Sequence, residues 1–177
     1  MDNTTLPVIY LSILLALLFG AGFIIFRQVF KSRKIENALS RLQKKLSQDK
    51  GTAQEYYELG SIYLDKKVYS QAISMFQKAL KAAEQEEDKS IGLIYNGLGF
   101  AYFTQGQYDL AIRQYKEALK HEPNYVTALN NLGHAYERKN LMAQALQTYE
   151  QALQSEPKND TAKRRAESLR KRSVISA

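Results

Sequence analysis

Side chains that could do covalent or metal chemistry are scarce in this sequence of 177 residues. It has no cysteine and two histidines, His121 and His134. Without cysteine there is no thiolate nucleophile or thiolate metal site, and two histidines are too few for most histidine-built metal centres. No glycine-rich phosphate loop or nucleophile motif is present, and the many carboxylates fit solvated helix surfaces. We therefore expect no catalytic residue, no cofactor and no metal, and a protein that is not an enzyme.

The composition favours an all-α protein of one modest domain with an appendage. Hydrophobic residues make up 45% of the chain, which is enough for a sizeable core, and there are only three prolines and nine glycines. A turn-rich all-β or disordered chain would carry more of both. The elements that position any binding site are therefore expected to be helices.

The N-terminal region predicts a transmembrane anchor. After a short tail, residues 1–5, the stretch Leu6–Phe26 has no charged residue, and as a helix its length of about 31 Å matches the hydrocarbon core of a bilayer. A cleaved signal peptide is disfavoured because no basic segment precedes the stretch and no A-x-A site follows it. Arg27 and Lys31 follow closely, which places the C-terminal bulk of a single-pass protein on the cytoplasmic side or its organellar equivalent.

Small residues recur along one face of this anchor. Ser12, Ala16 and Gly20 stand at intervals of four, which would let another transmembrane helix pack closely against them. The alternative is incidental spacing, since small residues are common in membrane helices. The sequence therefore leaves the oligomeric state open.

Positive charge is concentrated at the two ends of the chain. Residues 1–50 carry a net charge of +5, residues 51–157 of −3 and residues 158–177 of +5. Residues 27–51 predict a basic amphipathic connector helix whose apolar face contacts either lipid headgroups or the domain that follows. Because the positive charge lies directly after an apolar stretch and in the tail, the lipid bilayer is a nearer partner than nucleic acid, which we do not expect to bind.

The middle of the chain contains three copies of one pattern. A leucine-glycine pair is followed by a tyrosine, an alanine, an aromatic residue and a second alanine at constant offsets, and Gly99 and Gly133 stand 34 residues apart. This is the tetratricopeptide-repeat signature. It predicts an α-solenoid over residues 52–157, with repeats near 53–91, 92–125 and 126–159, closed by a basic capping helix and tail at 158–177. The three copies are Leu59-Gly60-Tyr63-Ala72-Phe76-Ala79, Leu98-Gly99-Tyr102-Ala111-Tyr115-Ala118 and Leu132-Gly133-Tyr136-Ala145-Tyr149-Ala152.

Local signals define the turns and helix starts. Gly106 and Asn140 stand between paired helices, where a left-handed residue is expected, whereas Lys67 departs from this pattern in repeat one. Thr52 with Glu55 predicts a capping box, and Ser90 and Asn124 are expected to cap the later repeats.

The first helices of such repeats line a groove, and its residues are the candidate binding site. Repeats one and two contribute apolar side chains, and repeat three contributes polar ones. Apolar side chains left exposed in a groove usually mark a binding surface for an extended segment or an amphipathic helix. The alternative is that a flanking helix covers them. We predict that the partner-binding residues are Tyr57, Leu64, Leu93, Asn96, Phe100, Phe103, Asn130 and His134.

The whole chain resembles one family, on five segments: LPVIYL in the anchor, KSRKIENALSRLQKKL in the connector, GTAQEYYELGSIYLDKK and YVTALNNLGHAYE in the repeats, and AKRRAESLRKR in the tail. It is similar to the tetratricopeptide protein of cyanobacteria and plastids called hypothetical chloroplast open reading frame thirty-seven. The anchor, connector and tail discriminate best, because the repeat residues match many unrelated scaffolds.

This resemblance implies a thylakoid protein, with its N-terminus in the lumen, that assists assembly and stability of photosystem I. Its implied partners are photosystem I subunits, assembly intermediates or other assembly factors. A membrane-tethered scaffold for import, envelope biogenesis or quality control would use the same anchor and groove. Chaperone-binding repeat proteins grip a C-terminal carboxylate with a lysine, an asparagine and an arginine. The first-repeat positions of the lysine and asparagine are Tyr57 and Ser61 here, so the resemblance does not support that role.

Overall fold

The computed structural model describes residues 5–86 and 90–175, which form eight α-helices. Residues 1–4, the start of the expected N-terminal tail, lie outside the described residues. The chain divides into two compact units, residues 1–47 and 48–177. The expected all-α architecture is confirmed, with a long apolar helix first and a repeat solenoid after it.

The first unit is one uninterrupted helix, α1, Thr5–Gln48. The stretch treated as an anchor and the stretch treated as a connector are continuous, because no proline or glycine occurs between Phe26 and Gln48. By length and composition, α1 is suited to crossing a membrane within Ile9–Gln48, and the described side chains of its apolar stretch are exposed. The small residues Ser12, Ala16 and Gly20 lie on this helix, and a Cβ added at Gly20 would have no neighbour within 4 Å.

The second unit consists of helix pairs stacked in chain order. Each helix contacts the next along the chain, and the first helices of successive pairs also touch, α2 with α4 and α4 with α6. The pairs are α2, Ala53–Asp65, with α3, Tyr69–Glu86; α4, Ile91–Thr104, with α5, Tyr108–His121; and α6, Val126–Arg138, with α7, Met142–Ser155; α8, Asp160–Ile175, follows.

The core follows from the repeat pattern, in which small residues face large aromatic ones. Phe76, Tyr115 and Tyr149 are among the largest fully buried side chains, and each lies against the glycine of its own repeat. The repeat alanines beside them are also fully buried, which lets paired helices approach closely. Two hydrophobic clusters form this core, the first in α2–α4 and the second in α5–α8, and Tyr102 packs against both. Ala162, Ala166 and Leu169 of α8 are buried in the second cluster, so α8 covers the end of the stack.

The helix ends show which local signals the chain uses. Thr52 and Glu55 form the predicted capping box, in which Thr52 Oγ1 accepts from Glu55 N at 3.3 Å and Glu55 Oε2 from Thr52 N at 3.1 Å. The expectation for Asn124 was wrong, because α6 begins one residue later and its N-cap is Tyr125. Ser90 stands at the N-cap of α4 but makes no capping hydrogen bond with its side chain.

Candidate functional site

The first helices α2, α4, α6 and α8 form a continuous row. Side chains of neighbouring members touch across it: the ring centroids of Phe103 and His134 are 4.8 Å apart, and Arg165 Nη1 lies 3.4 Å from Glu137 Oε2. We call the surface formed by this row the groove. Residues spaced by one repeat length along the chain thus become neighbours on one surface, as expected for a solenoid.

The α4 part of the groove exposes apolar side chains. Leu93 is 37% exposed and Phe100 42%, although both belong to a helix whose other face is buried against α3 and α5. Exposing these groups to water is unfavourable by about 25 cal/mol per Å² of apolar surface. A partner that covered them would recover this free energy, so the α4 face is the strongest feature of the site.

Three further apolar residues predicted for the site are half-buried rather than fully open. The Tyr57 ring packs on Phe76 at 5.6 Å between centroids, and the Phe103 ring lies between those of Tyr108, at 5.4 Å, and His134. Leu64 packs against the first hydrophobic cluster. The exposed part of each side chain can contact a ligand, while the buried part supports the helices of the groove, including α4, which carries Leu93 and Phe100.

The two asparagines predicted for the site connect the helices. Asn96 is 9% exposed; its amide donates to Tyr125 Oη at 3.4 Å, and its Oδ1 accepts from Asn131 Nδ2 at 3.0 Å. Asn130 Nδ2 donates to Asn159 Oδ1 at 3.2 Å, while Asn130 Oδ1 is buried without a hydrogen-bond partner. These bridges fix the spacing of α4, α6 and α8, so we assign both asparagines to the frame of the groove.

A polar cluster surrounds His134 at the α6 and α8 end. Tyr149 Oη donates to Glu137 Oε1 at 2.7 Å from the buried side, and Arg165 approaches Glu137 Oε2 from α8. Burial, followed by the positive charge of Arg165, lowers the pKa of His134, while Glu137 opposes the shift and Arg138 adds to it. His134 is therefore held towards its neutral form beside the Phe103 ring.

Sequence reasoning missed the contribution of α8. Thr161, Arg164 and Arg165 line a depression of about 300 Å³ on its first turns. Arg164 stands 34 residues after Asn130, so extending the repeat register into the capping helix would have placed it in the groove. The sequence predicts only a solvating cap, because Ala162, Ala166 and Leu169 recur on one face of a basic segment and a terminal repeat must present one polar face.

The remaining histidine lies outside the groove. The His121 ring stacks on Tyr95 at 5.7 Å, at the end of the second helix of repeat two. Among residues 5–86 and 90–175, no group of three or more histidine, cysteine or acidic side chains is arranged to hold a metal ion. The site therefore consists of exposed apolar side chains and arginines, which are residue types that contribute most to binding another macromolecule.

Comparison with known proteins places the chain in a class and then in a family. Tetratricopeptide-repeat models match residues 49–121 and 97–160, and the structure of MamA superposes with a TM-score of 0.64 at 29% identity, over 70% of each chain. The protein is a tetratricopeptide-repeat solenoid, a scaffold for contacts with other proteins.

Two relatives identify the family within this class of repeat proteins. The chain is 39% identical over 125 residues to the ycf37 protein of Guillardia theta, covering 70% of each chain. It is 34% identical over 121 residues to a chloroplastic tetratricopeptide-repeat protein of Arabidopsis thaliana, PYG7, covering 68% of this chain and 40% of that one. The chain belongs to the ycf37 family of tetratricopeptide-repeat proteins, as its sequence resemblance indicated.

Proposed function

We propose that this protein is a membrane-anchored scaffold that assists the assembly and stability of photosystem I by holding a subunit or assembly factor at the thylakoid surface. The observation that carries the proposal is the exposed apolar face of α4, with Leu93 and Phe100, in a chain of the ycf37 family. Membership of that family supports the photosystem role that the sequence resemblance implies.

The anchor contributes by confinement. We propose that α1 crosses the thylakoid membrane once, with the N-terminus in the lumen and the repeats on the cytoplasmic or stromal side, as the basic residues after Phe26 favour. Confinement to the membrane surface raises the effective concentration of the groove near membrane subunits without a new contact. The chloroplastic relative supports a plastid as the location.

The test is affinity purification of tagged full-length protein from mildly solubilised native membranes, beside the variant L93Q/F100Q. The matched control is V68Q/L110Q, because Val68 and Leu110 are 38% and 39% exposed but lie outside the groove. We expect photosystem I subunits or assembly intermediates to be enriched with the parent and the control, and lost with L93Q/F100Q while its helix content is unchanged.

The other outcomes contradict parts of the proposal. Enrichment with all three proteins would move recognition away from the groove to α1 or the tail. Retrieval of import, envelope or quality-control components without photosystem I would assign the same scaffold to that other process.

A further inference from the structure

The groove changes character along its length. Its α4 part exposes Leu93 and Phe100, whereas its α6 and α8 part presents three exposed arginines, Arg138, Arg164 and Arg165. His134 lies between the two parts, since its ring contacts Phe103 on one side and Arg165 influences it from the other. A ligand that lies along the groove meets apolar side chains first and guanidinium groups next.

The arginines retain hydrogen-bonding capacity. Each guanidinium has five N–H donors, and the contacts of these three are few: Arg165 makes one long contact to Glu137 at 3.4 Å, and Arg164 Nε donates to the Asp160 carbonyl at 3.3 Å. Arg138 stacks on the Tyr108 ring at 4.7 Å, which holds its plane in place. Planar donors of this kind match carboxylates in a paired geometry.

Charge complementarity therefore selects one kind of partner. Glu137 is the carboxylate in contact with these arginines, and its two oxygens already accept from Tyr149 and Arg165; Asp160 stands one helical turn before Arg164 on α8. Three guanidinium groups against these two carboxylates leave this end positive. A basic or neutral segment would leave that charge uncompensated, whereas an acidic one would neutralise it.

We infer that the groove binds a protein segment of two-part chemistry, with apolar side chains that cover Leu93 and Phe100 and aspartate or glutamate side chains that pair with Arg138, Arg164 and Arg165. This inference rests on the proposed function, because it names the chemistry of the partner for the same groove. It differs from capture of a C-terminal carboxylate, because the recognised groups are side chains and the recognising arginines lie on α6 and α8.

The test uses full-length protein in nanodiscs of zwitterionic lipid and two fluorescent peptides, with empty discs as the blank. One peptide has leucine and phenylalanine in one half and glutamate alternating with serine in the other; its twin carries glutamine in place of each glutamate. We expect the glutamate peptide to bind about tenfold more tightly, with a preference that falls as salt is raised.

Matched variants separate the arginines from overall charge. R138Q/R164Q should reduce the preference for glutamate, because two of the three recognising guanidinium groups are lost and Arg165 remains. K116Q/K120Q removes the same charge from α5, a second helix of its pair, and should leave the preference unchanged. Arg165 is left intact in both variants because it also contacts Glu137.

His134 gives a second readout that a purely structural role would not move. The groups that face it are Phe103 from α4, Glu137 and Arg138 from its own helix, and Arg165 from α8. When peptide carboxylates neutralise the arginines, the His134 pKa should rise, which histidine side-chain NMR of the full-length protein can follow. The His121 signal, outside the groove, should not respond.

Each alternative result has a distinct meaning. Equal binding of the two peptides by the parent overturns the acidic partner but keeps groove binding. Absence of binding by either peptide overturns groove recognition and with it the mechanism under the proposed function. A His134 response to anionic lipid in the disc, lost in R138Q/R164Q, would show that these arginines face headgroups instead.

Discussion

At the scale of single residues, the contact between Tyr149 and Glu137 links the core to the groove. Tyr149 is 1% exposed, and burial together with this hydrogen bond to a carboxylate raises the pKa of its hydroxyl well above the usual range. The phenol therefore stays protonated and keeps donating at any physiological pH. The donation holds the Glu137 carboxylate beside His134 and Arg165.

Removal of this hydroxyl should weaken the fold. In Tyr149→Phe the half-buried Glu137 loses its inner donor, and we expect the free energy of unfolding to fall by about 1.5–3 kcal/mol, as for hydrogen bonds to charged groups. Urea unfolding of the full-length protein in mild detergent measures this. Tyr102→Phe is the control, because Tyr102 Oη accepts a longer, neutral bond from Gln77 Nε2 at 3.4 Å. Equal losses in both variants would contradict the assignment.

His134 should make stability depend on pH. Its pKa is lower in the folded protein than in the unfolded chain, so on acidification the unfolded chain takes up the proton first. The free energy of unfolding should therefore be fully present above the pKa of an unfolded histidine, and should decrease as pH falls through the folded value. His134→Gln should flatten this part of the curve in unfolding experiments across that range, whereas a flattening of similar size in His121→Gln would argue against the assignment.

At the scale of helices, the stack depends on contact between a glycine and an aromatic ring within each repeat. A Cβ built on Gly99 would lie 2.7 Å from the Tyr115 ring, and one on Gly133 2.8 Å from the Tyr149 ring, while Gly60 leaves 3.0 Å to Phe76. These rings are fully buried and have little room to move. The leucine-glycine pairs of the sequence are therefore explained by helix packing.

Gly99→Ala tests this packing. Alanine gains about 1 kcal/mol of helix propensity, but overpacking against a fixed ring costs about 1–3 kcal/mol. We expect a net loss of stability at Gly99 and a smaller effect for Gly60→Ala, where the approach is less close. Thermal unfolding of the two variants gives the comparison, and a gain of stability at Gly99 would show that Tyr115 can shift.

Lys67 occupies a turn position that suits glycine better. Its φ is 62°, close to the φ of 57° at Asn140 and 76° at Gly106 in the equivalent turns of the later repeats. A lysine in the left-handed conformation is strained by about 1–2 kcal/mol. Glycine removes this strain, but it loses more backbone entropy on folding, which offsets part of the gain. Lys67→Gly should therefore raise the free energy of unfolding by about 0.5–1 kcal/mol. Asn140→Gly should gain less, since asparagine tolerates this conformation.

Much of the helical architecture can be read from the sequence, because the leucine-glycine, alanine and aromatic positions report packing between helices that are close in the chain. The hydrogen bonds between polar side chains of different helices cannot be predicted from the sequence in this way. Asn96 meets Asn131 and Tyr149 meets Glu137 only after the superhelix has set which side chains face one another, and residue type does not encode that rotation. The prediction that Asn124 caps α6 was wrong because α6 begins one residue later than expected.

At the scale of the whole molecule, α8 closes the solenoid. Each repeat contacts only its neighbours, so the last pair would expose its apolar face without a cap. Ala162, Ala166 and Leu169 cover that face and are 4% exposed or less. The same helix brings Arg164 and Arg165 to the groove, so one element stabilises the stack and shapes its binding surface.

Truncation tests which part of α8 stabilises the stack. A chain that stops after Pro157 should lose stability, with amide hydrogen exchange accelerated most in α6 and α7 and least in α2 and α3, since solenoid stability is a sum of neighbour contacts. A chain that stops after Lys171 keeps the three buried residues and should exchange like the parent. Uniform acceleration along all the repeats would mean that the solenoid unfolds as a single cooperative unit.

The asparagine bridges also stiffen the solenoid against stretching. Asn96 with Asn131 joins α4 to α6, and Asn130 with Asn159 joins α6 to the start of α8, so both bridges cross the groove surface C-terminal to repeat one. Stretching the superhelix along its axis separates its first helices and must lengthen these bonds. Under a pulling force, the interfaces of α4 with α6 and of α6 with α8 should therefore resist separation through these bonds as well as through packing.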